Sequence, residues 1–253
     1  MPINVKSENR VCRIEISRPE KKNALTAEMY LKLAEALQAA DADRAVRAVV
    51  LRGSADCFSS GNDITDFLQR PPHDEGAPTW RFFDALPGMQ KPVVAAVGGL
   101  AIGIGVTLLL HCDLVYAAKG TRFQLPFVPI GIVPEFGSTY LLPLMAGRQR
   151  ASEVLLLGQP FTAEKAQELG IVTAVVSPEN LFSEADKAAA TLAALPPDAL
   201  RLSKQLIRSH HAGALSAAIA AESRIVRERL ASPEAKEAMS AFLEKRKPDF
   251  SRF

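Results

Sequence analysis

Cysteine is scarce in this chain of 253 residues, and its three copies, Cys12, Cys57 and Cys112, form no Cys-x-x-Cys pair. An odd, scattered set points to neither a disulfide framework nor a zinc site and fits a reducing compartment. Long apolar runs are missing as well. The longest candidate, Val93 to Leu110, is interrupted by Gly98, Gly99, Gly103 and Gly105 and is followed by His111 and Asp113, whereas a membrane span needs about 20 predominantly apolar residues. Neither sign of charge dominates. Thirty basic against 28 acidic residues leave a net charge of +2, which gives no general attraction for nucleic acid or anionic lipid. There is no Gly-x-Ser-x-Gly elbow, which argues against a serine hydrolase. Met1 leads into a polar, strand-like stretch rather than a signal peptide. Ser251-Arg252-Phe253 is a poor peroxisomal address, and the expected location is the cytoplasm.

What is present suits a folded α/β chain. Hydrophobic residues make up 48% and charged residues 23%, enough for a sizeable core. Val11 to Ser17 alternates as a strand does. Thr26 can cap a helix whose apolar positions Met29, Leu33 and Leu37 recur every four residues. Val46 to Leu51 reads as a second strand, and Pro92 to Val97 as a strand buried on both faces. Trp80 to Leu86 reads as a short helix after a Pro- and Gly-containing loop, Pro71 to Pro78, expected to be mobile. A helix is expected over Val106 to His111, and strands over Asp113 to Ala117 and Arg122 to Leu125. Helices dominate from Ser138, with Pro197, Gly213 and Pro233 separating the last three. The expected organisation is an α/β core over residues 1–195 and a helical region over 196–253.

Three segments carry candidate chemistry. Cys57 to Ile64 is a small-residue turn after a strand, where free backbone N–H groups can face an anion; its plainer reading is an ordinary turn capped by Asn62 or Asp63. Gly98 to Thr107 lies between strand and helix, where close approach of a ligand to backbone needs glycine. Its glycines do not fall as G-x-G-x-x-G, and tight helix–strand packing is an alternative explanation. In Ile130 to Ser138, Glu135 is the only charge between Arg122 and Arg148. An isolated carboxylate in apolar sequence is a candidate base, because desolvation raises its pKa. It could equally complement the dipole of the helix starting near Ser138. His111 and Cys112 read as packing residues, and no metal site is expected.

In order, these segments resemble the enoyl-CoA hydratase/isomerase (crotonase) superfamily over essentially the whole chain. The resemblance is carried by Arg18-Pro-Glu-Lys-Lys-Asn-Ala-Leu-Thr26, Phe58-Ser-Ser-Gly-Asn-Asp63, Gly99-Leu-Ala-Ile-Gly103, Cys112-Asp-Leu-Val-Tyr-Ala117 and Ala241-Phe-Leu-Glu-Lys-Arg-Lys-Pro248. It implies a spiral of β-β-α units, a C-terminal helical trimerisation region and an acyl-CoA thioester substrate, coenzyme A being part of that substrate and no separate cofactor being needed. It also implies two backbone donors for the thioester oxygen, at Asn62 and Ile104, each worth ~2.7–4 kcal/mol of transition-state stabilisation. Lys22 and Ala24 would meet the CoA phosphates, and Ser60, Gly61, Asn62, Asp63 and Ile64 the adenine and pantetheine. Phe242 and Lys245 would close over the nucleotide, from the same or a neighbouring subunit.

The acids select among the family's reactions. By the same resemblance, hydratases carry glutamates at the positions of Thr107 and Phe127, and both are absent here. Glu135 falls where peroxisomal-type Δ3,Δ2-enoyl-CoA isomerases carry their single glutamate. The expectation is therefore an isomerase of lipid metabolism that moves the double bond of a 3-enoyl-CoA to the 2-position, working as a homotrimer or dimer of trimers. Hydration or another crotonase reaction, with Asp63 or Asp66 as the missing acid, is the alternative. A non-catalytic CoA- or RNA-binding protein is a second, disfavoured by the near-neutral charge.

Overall fold

A computed structural model of the chain describes residues 2–69 and 76–253. The strands, in chain order, are β1 (Ile3–Glu8), β2 (Val11–Ile16), β3 (Ala48–Arg52), β4 (Val93–Val97), β5 (Leu100–Ile102), β6 (Leu114–Ala118), β7 (Arg122–Gln124), β8 (Phe161–Thr162) and β9 (Ala174–Val176). One sheet runs β1-β2-β3-β4-β6-β9, antiparallel only at β1–β2 and parallel thereafter; a smaller sheet runs β5-β7-β8. The helices are α1 (Ala27–Ala42), α2 (Ile64–Gln69), α3 (Pro78–Gly88), α4 (Ile104–Thr107), α5 (Ser138–Ala146), α6 (Arg148–Leu157), α7 (Ala163–Glu168), α8 (Leu181–Ala194), α9 (Pro197–Ser209), α10 (Ala212–Leu230) and α11 (Pro233–Leu243).

Strand periodicity divides the interior in two. In β3 and β4, Val49, Leu51, Val93, Ala95 and Val97 face the main core with Met29, Leu33 and Leu37 of α1 and Phe82 and Leu86 of α3. The alternate residues Ala48, Val50, Val94 and Ala96 face α8, which meets them with Leu181, Ala185, Ala189 and Ala193. A four-residue repeat places those α8 side chains on one stripe. Every residue of β4 is buried, as expected for a parallel strand covered on both faces.

Several boundaries differ from the sequence reading. The helix expected over Val106–His111 is a single α-turn, α4, followed by a 3-10 turn over Leu108–His111. The stretch read as a continuous glycine turn contains β5, and the mostly helical part after Ser138 contains β8 and β9. These strands of two or three residues give only a weak alternation signal. The loop expected to be mobile includes residues 71–75, which lie outside the described residues. No helix among the described residues is long and apolar enough to cross a membrane.

Candidate active site

Two turns meet at the edge of the small sheet. Isolated bridges pair Leu25 with Asn62 and Ser59 with Ala101; Ile102 N donates to Ser59 O at 2.9 Å and Asp63 N to Leu25 O at 2.8 Å. The segment carrying Asn62 is thus laid against the start of α4, which carries Ile104. Contact is so close that a Cβ on Gly105 would lie 2.9 Å from Ser59 O. Only glycine leaves room there. Neither the Asn62 nor the Ile104 backbone N–H donates to another described residue, leaving two amides free at adjoining turns. At Ile104 this follows from its place at the start of a helix, where N–H groups have no partner within the helix.

Glu135 lies in the turn before α5, only 3% exposed. Its Oε1 is buried and accepts no hydrogen bond from any described residue; the hydroxyls of Thr107 and Ser138 are likewise buried without a partner. Burial, reinforced by the negative charge of Glu222, pushes the Glu135 pKa up to about 8. Tyr30 is near enough to feel the Glu135 charge and also reaches the turn at Asn62. Its hydroxyl donates to Asn62 Oδ1 at 2.5 Å, and burial together with the Glu135 charge raises the Tyr30 pKa well above its usual value.

The turn holding Glu135 is fixed from several sides. Phe136 sits in the left-handed region at φ 60°, a strained position for a side chain of its size. Its ring stacks on Phe83 at 4.0 Å between centroids and lies 4.0 Å from His111. His111 Nε2 is 2.8 Å from Phe136 O. Burial lowers the His111 pKa to about 4, so the neutral ring donates from Nε2 to that carbonyl. His111 therefore packs, as expected, but it also holds the turn. Behind it, Arg208 donates to His111 O at 2.6 Å and to Asp113 Oδ1 at 3.0 Å. A cavity of about 620 Å³ between α3, α5, α9 and α10 is lined by Trp80, Phe83 and His111 among others, and Glu135 is not in its wall.

Asp63 and Asp66 are structural. Asp63 accepts from Arg18 at 2.8 Å and from the Thr65 and Asp66 amides at 3.1 Å, capping α2. Burial opposes its ionisation, but the Arg18 and amide bonds outweigh it and hold the carboxyl below its usual range. Asp66 accepts from Ala27 N at 2.8 Å. Of the expected CoA contacts, Lys22 is exposed at a left-handed position, its carbonyl accepting from Ser60 N at 3.0 Å. The Ala24 carbonyl accepts from Arg18. Lys22, Ala24 and Ser60 to Ile64 thus form one neighbourhood beside the two free amides. Phe242, 61% exposed, and Lys245 project from the end of α11 and make no bond to that neighbourhood within one chain among the described residues. No group of three His, Cys, Asp or Glu among the described residues is placed to hold a metal ion.

Sequence reasoning missed Glu222. The dipole-complementing role at the start of α5, considered for Glu135, belongs to Glu222 of α10, which accepts from Gly137 N at 2.5 Å and Thr139 N at 2.8 Å. A signal was available: Leu215, Ile219, Glu222 and Val226 follow the 4-3-4 spacing of a buried helical stripe, and an acid on such a stripe needs a partner.

Comparison with known proteins identifies the family. The family model described as "Enoyl-CoA hydratase/isomerase" matches residues 6–252. The 1,2-epoxyphenylacetyl-CoA isomerase of Escherichia coli K12 is 37% identical, with 96% of each chain covered. Human enoyl-CoA delta isomerase 2 is 36% identical over 96% of this chain and 63% of its own length. The E. coli K12 2,3-dehydroadipyl-CoA hydratase is 34% identical over 97% of each. An enoyl-CoA hydratase/isomerase structure from Pseudoalteromonas atlantica T6c superposes with a TM-score of 0.94 at 42% identity, covering 99% of this chain and 100% of that one. Fold similarity, sequence identity and near-complete coverage agree, and the chain belongs to the enoyl-CoA hydratase/isomerase family.

Proposed function

We propose that this enzyme is a 3-enoyl-CoA isomerase in which Glu135 is the only acid–base group and the Asn62 and Ile104 amides form the oxyanion hole. Glu135, as carboxylate, takes a proton from C2 of the 3-enoyl thioester. The electron pair delocalises into a dienolate whose thioester oxygen accepts from the two amides. The proton returns from Glu135 to C4, leaving the conjugated 2-enoyl thioester. Base and acid are the same group, and no other reactant is consumed. Lys22, Ala24 and Ser60 to Ile64 bind the CoA moiety, joined by Phe242 and Lys245 of a neighbouring chain in a trimer or dimer of trimers. No cofactor beyond the CoA of the substrate is required. Free Cys12, Cys57 and Cys112 fit work in the cytoplasm.

One observation carries the reading. Glu135 is buried with its Oε1 unpartnered among the described residues and its pKa raised to about 8; Thr107 and Phe127, at the positions where the resemblance puts the hydratase glutamates, are not acids, and Asp63 and Asp66 are committed to Arg18 and to backbone amides. Water addition normally needs two positioned acid–base groups, whereas a double-bond shift needs one. With 3-hexenoyl-CoA, purified protein should generate the ultraviolet absorbance of a conjugated thioester. Failure to conjugate any chain length, or conversion of crotonyl-CoA to its 3-hydroxy product at a comparable rate, would overturn the proposal.

A further inference from the structure

Glu222 has no part in the chemistry just described, yet its surroundings are those of a built device. It is 5% exposed on a helix stripe otherwise made of Leu215, Ile219 and Val226, a position where a leucine would pack without desolvating a charge. Its carboxylate is filled: Oε2 accepts from Gly137 N at 2.5 Å, and Oε1 accepts from Thr139 N at 2.8 Å and Thr139 Oγ at 2.5 Å. These donors include the free first-turn amides of α5, whose own N-cap residue, Gly137, has no side chain to serve them. The helix that supplies Glu222 lies directly on the turn. At Gly137, φ 73°, a Cβ would fall 2.4 Å from Leu215 Cδ1, so a larger residue would both strain the turn and push that leucine side chain of α10 aside. Next in the chain is strained Phe136, and next to that Glu135.

We propose that Glu222 is a positioning residue for the reaction: from α10 it clamps the Glu135–Gly137 turn to α5 and so fixes where the Glu135 carboxylate stands. The proposal rests on the reading of Glu135 as the base. The clamp has an electrostatic side. The groups that bear on Glu135 are Tyr30 from α1, neutral His111 through Phe136, and Glu222 from α10. Burial raises the Glu222 pKa while its bonds to Thr139 and Gly137 lower it. Burial wins, leaving the Glu222 pKa above its ordinary value, and the negative charge of Glu222 opposes ionisation of Glu135. Removing that charge should make Glu135 a weaker base that ionises at lower pH; removing the bonds should let the turn leave its reactive place.

The test uses the full-length enzyme with Glu222→Gln and Glu222→Ala, assayed with 3-hexenoyl-CoA across the pH range alongside melting temperature. Gln keeps an acceptor for Thr139 but sets an amide against Gly137 N–H. Maximal kcat should fall about tenfold in Gln and further in Ala, with KM within about threefold, because misplacing a reacting group by about 1 Å can lose about 10²-fold in rate. The acid limb of the Gln variant should move to lower pH by at least about half a unit. A purely structural cap predicts a lower melting temperature with the limb and kcat unmoved, and that result overturns the proposal. If neither variant folds, Thr139→Val, which leaves the Glu222 carboxylate in place but removes one donor, should lower kcat about threefold with KM unchanged, and a wild-type kcat overturns the clamp. Titration of Glu135 by carbon-13 NMR of carboxyl-labelled protein needs no substrate. An unshifted Glu135 resonance in folded Glu222→Gln protein overturns the clamp even if wild type fails to turn over 3-hexenoyl-CoA, which by itself overturns only the isomerase reading.

Discussion

At the scale of single residues, the environment of Glu135 couples activity to stability. Its pKa of about 8 means that the folded chain holds the proton more tightly than the unfolded one. Between the ordinary value of 4.5 and about 8, the unfolded state releases that proton first, and stability falls as pH rises through the window. As the proposed base, Glu135 works only when ionised, so kcat/KM should climb with a single acid limb near pH 8 rather than near pH 4.5. Glu135→Gln removes the charge, and the variant should melt above wild type at about pH 8, with the gap closing towards about pH 5. Calorimetry across that range checks this, and a variant that melts below wild type at every pH would count against a raised Glu135 pKa. The carboxylate was legible in the sequence because no other charge lies between Arg122 and Arg148. Its distance from other charges in space was not: the charge that perturbs it comes from Glu222, 87 positions along the chain.

Elements place the two free amides. Segments 58–62 and 100–104 run side by side, and Gly105 sets their separation. Gly105→Ala should drive the Ser59 strand from α4, destabilise the fold by about 1–3 kcal/mol as overpacking does, and lower kcat by about tenfold or more through a misplaced oxyanion hole. Wild-type kcat in that variant would show that the approach is not needed. Much of this level could be read in advance. The Thr26 side chain accepts from Met29 N at 3.3 Å, capping α1 as expected, and β4 is buried throughout. β5, β8 and β9 escaped because two or three residues show too little alternation to stand out from a glycine-rich turn or from the helices around them, and their pairing is decided by partners distant in sequence. The 3-10 turn at Leu108–His111 escaped because an apolar run is equally compatible with an α-helix. Free amides in these two turns could be suspected from the glycines, and the family resemblance names Asn62 and Ile104, but their juxtaposition depends on the Ser59–Ala101 bridge.

For the molecule as a whole, the outer face of α9 remains apolar: Leu206 is 65% and Ile207 75% exposed, with Leu202 half-exposed. Such a contiguous patch marks an interface more often than a free surface. On the proposed assembly, in which Phe242 of one chain closes the CoA site of another, the enzyme should sediment at micromolar concentration as a trimer or a dimer of trimers, and Leu206→Glu with Ile207→Glu should shift it to smaller species. Monomeric wild-type protein that retains full turnover would remove both the assembly and the shared nucleotide site.

One carboxylate working against two backbone donors makes a sharp demand on Glu135→Gln, assayed with 3-hexenoyl-CoA in the intact enzyme. Shape and volume are nearly kept, and the amides of Asn62 and Ile104 are untouched. Turnover should fall by the ~10²–10⁴ that a general acid–base group contributes, while affinity for acyl-CoA stays within about threefold. Turnover within about threefold of wild type would contradict Glu135 as the base and, with it, the single-base isomerase.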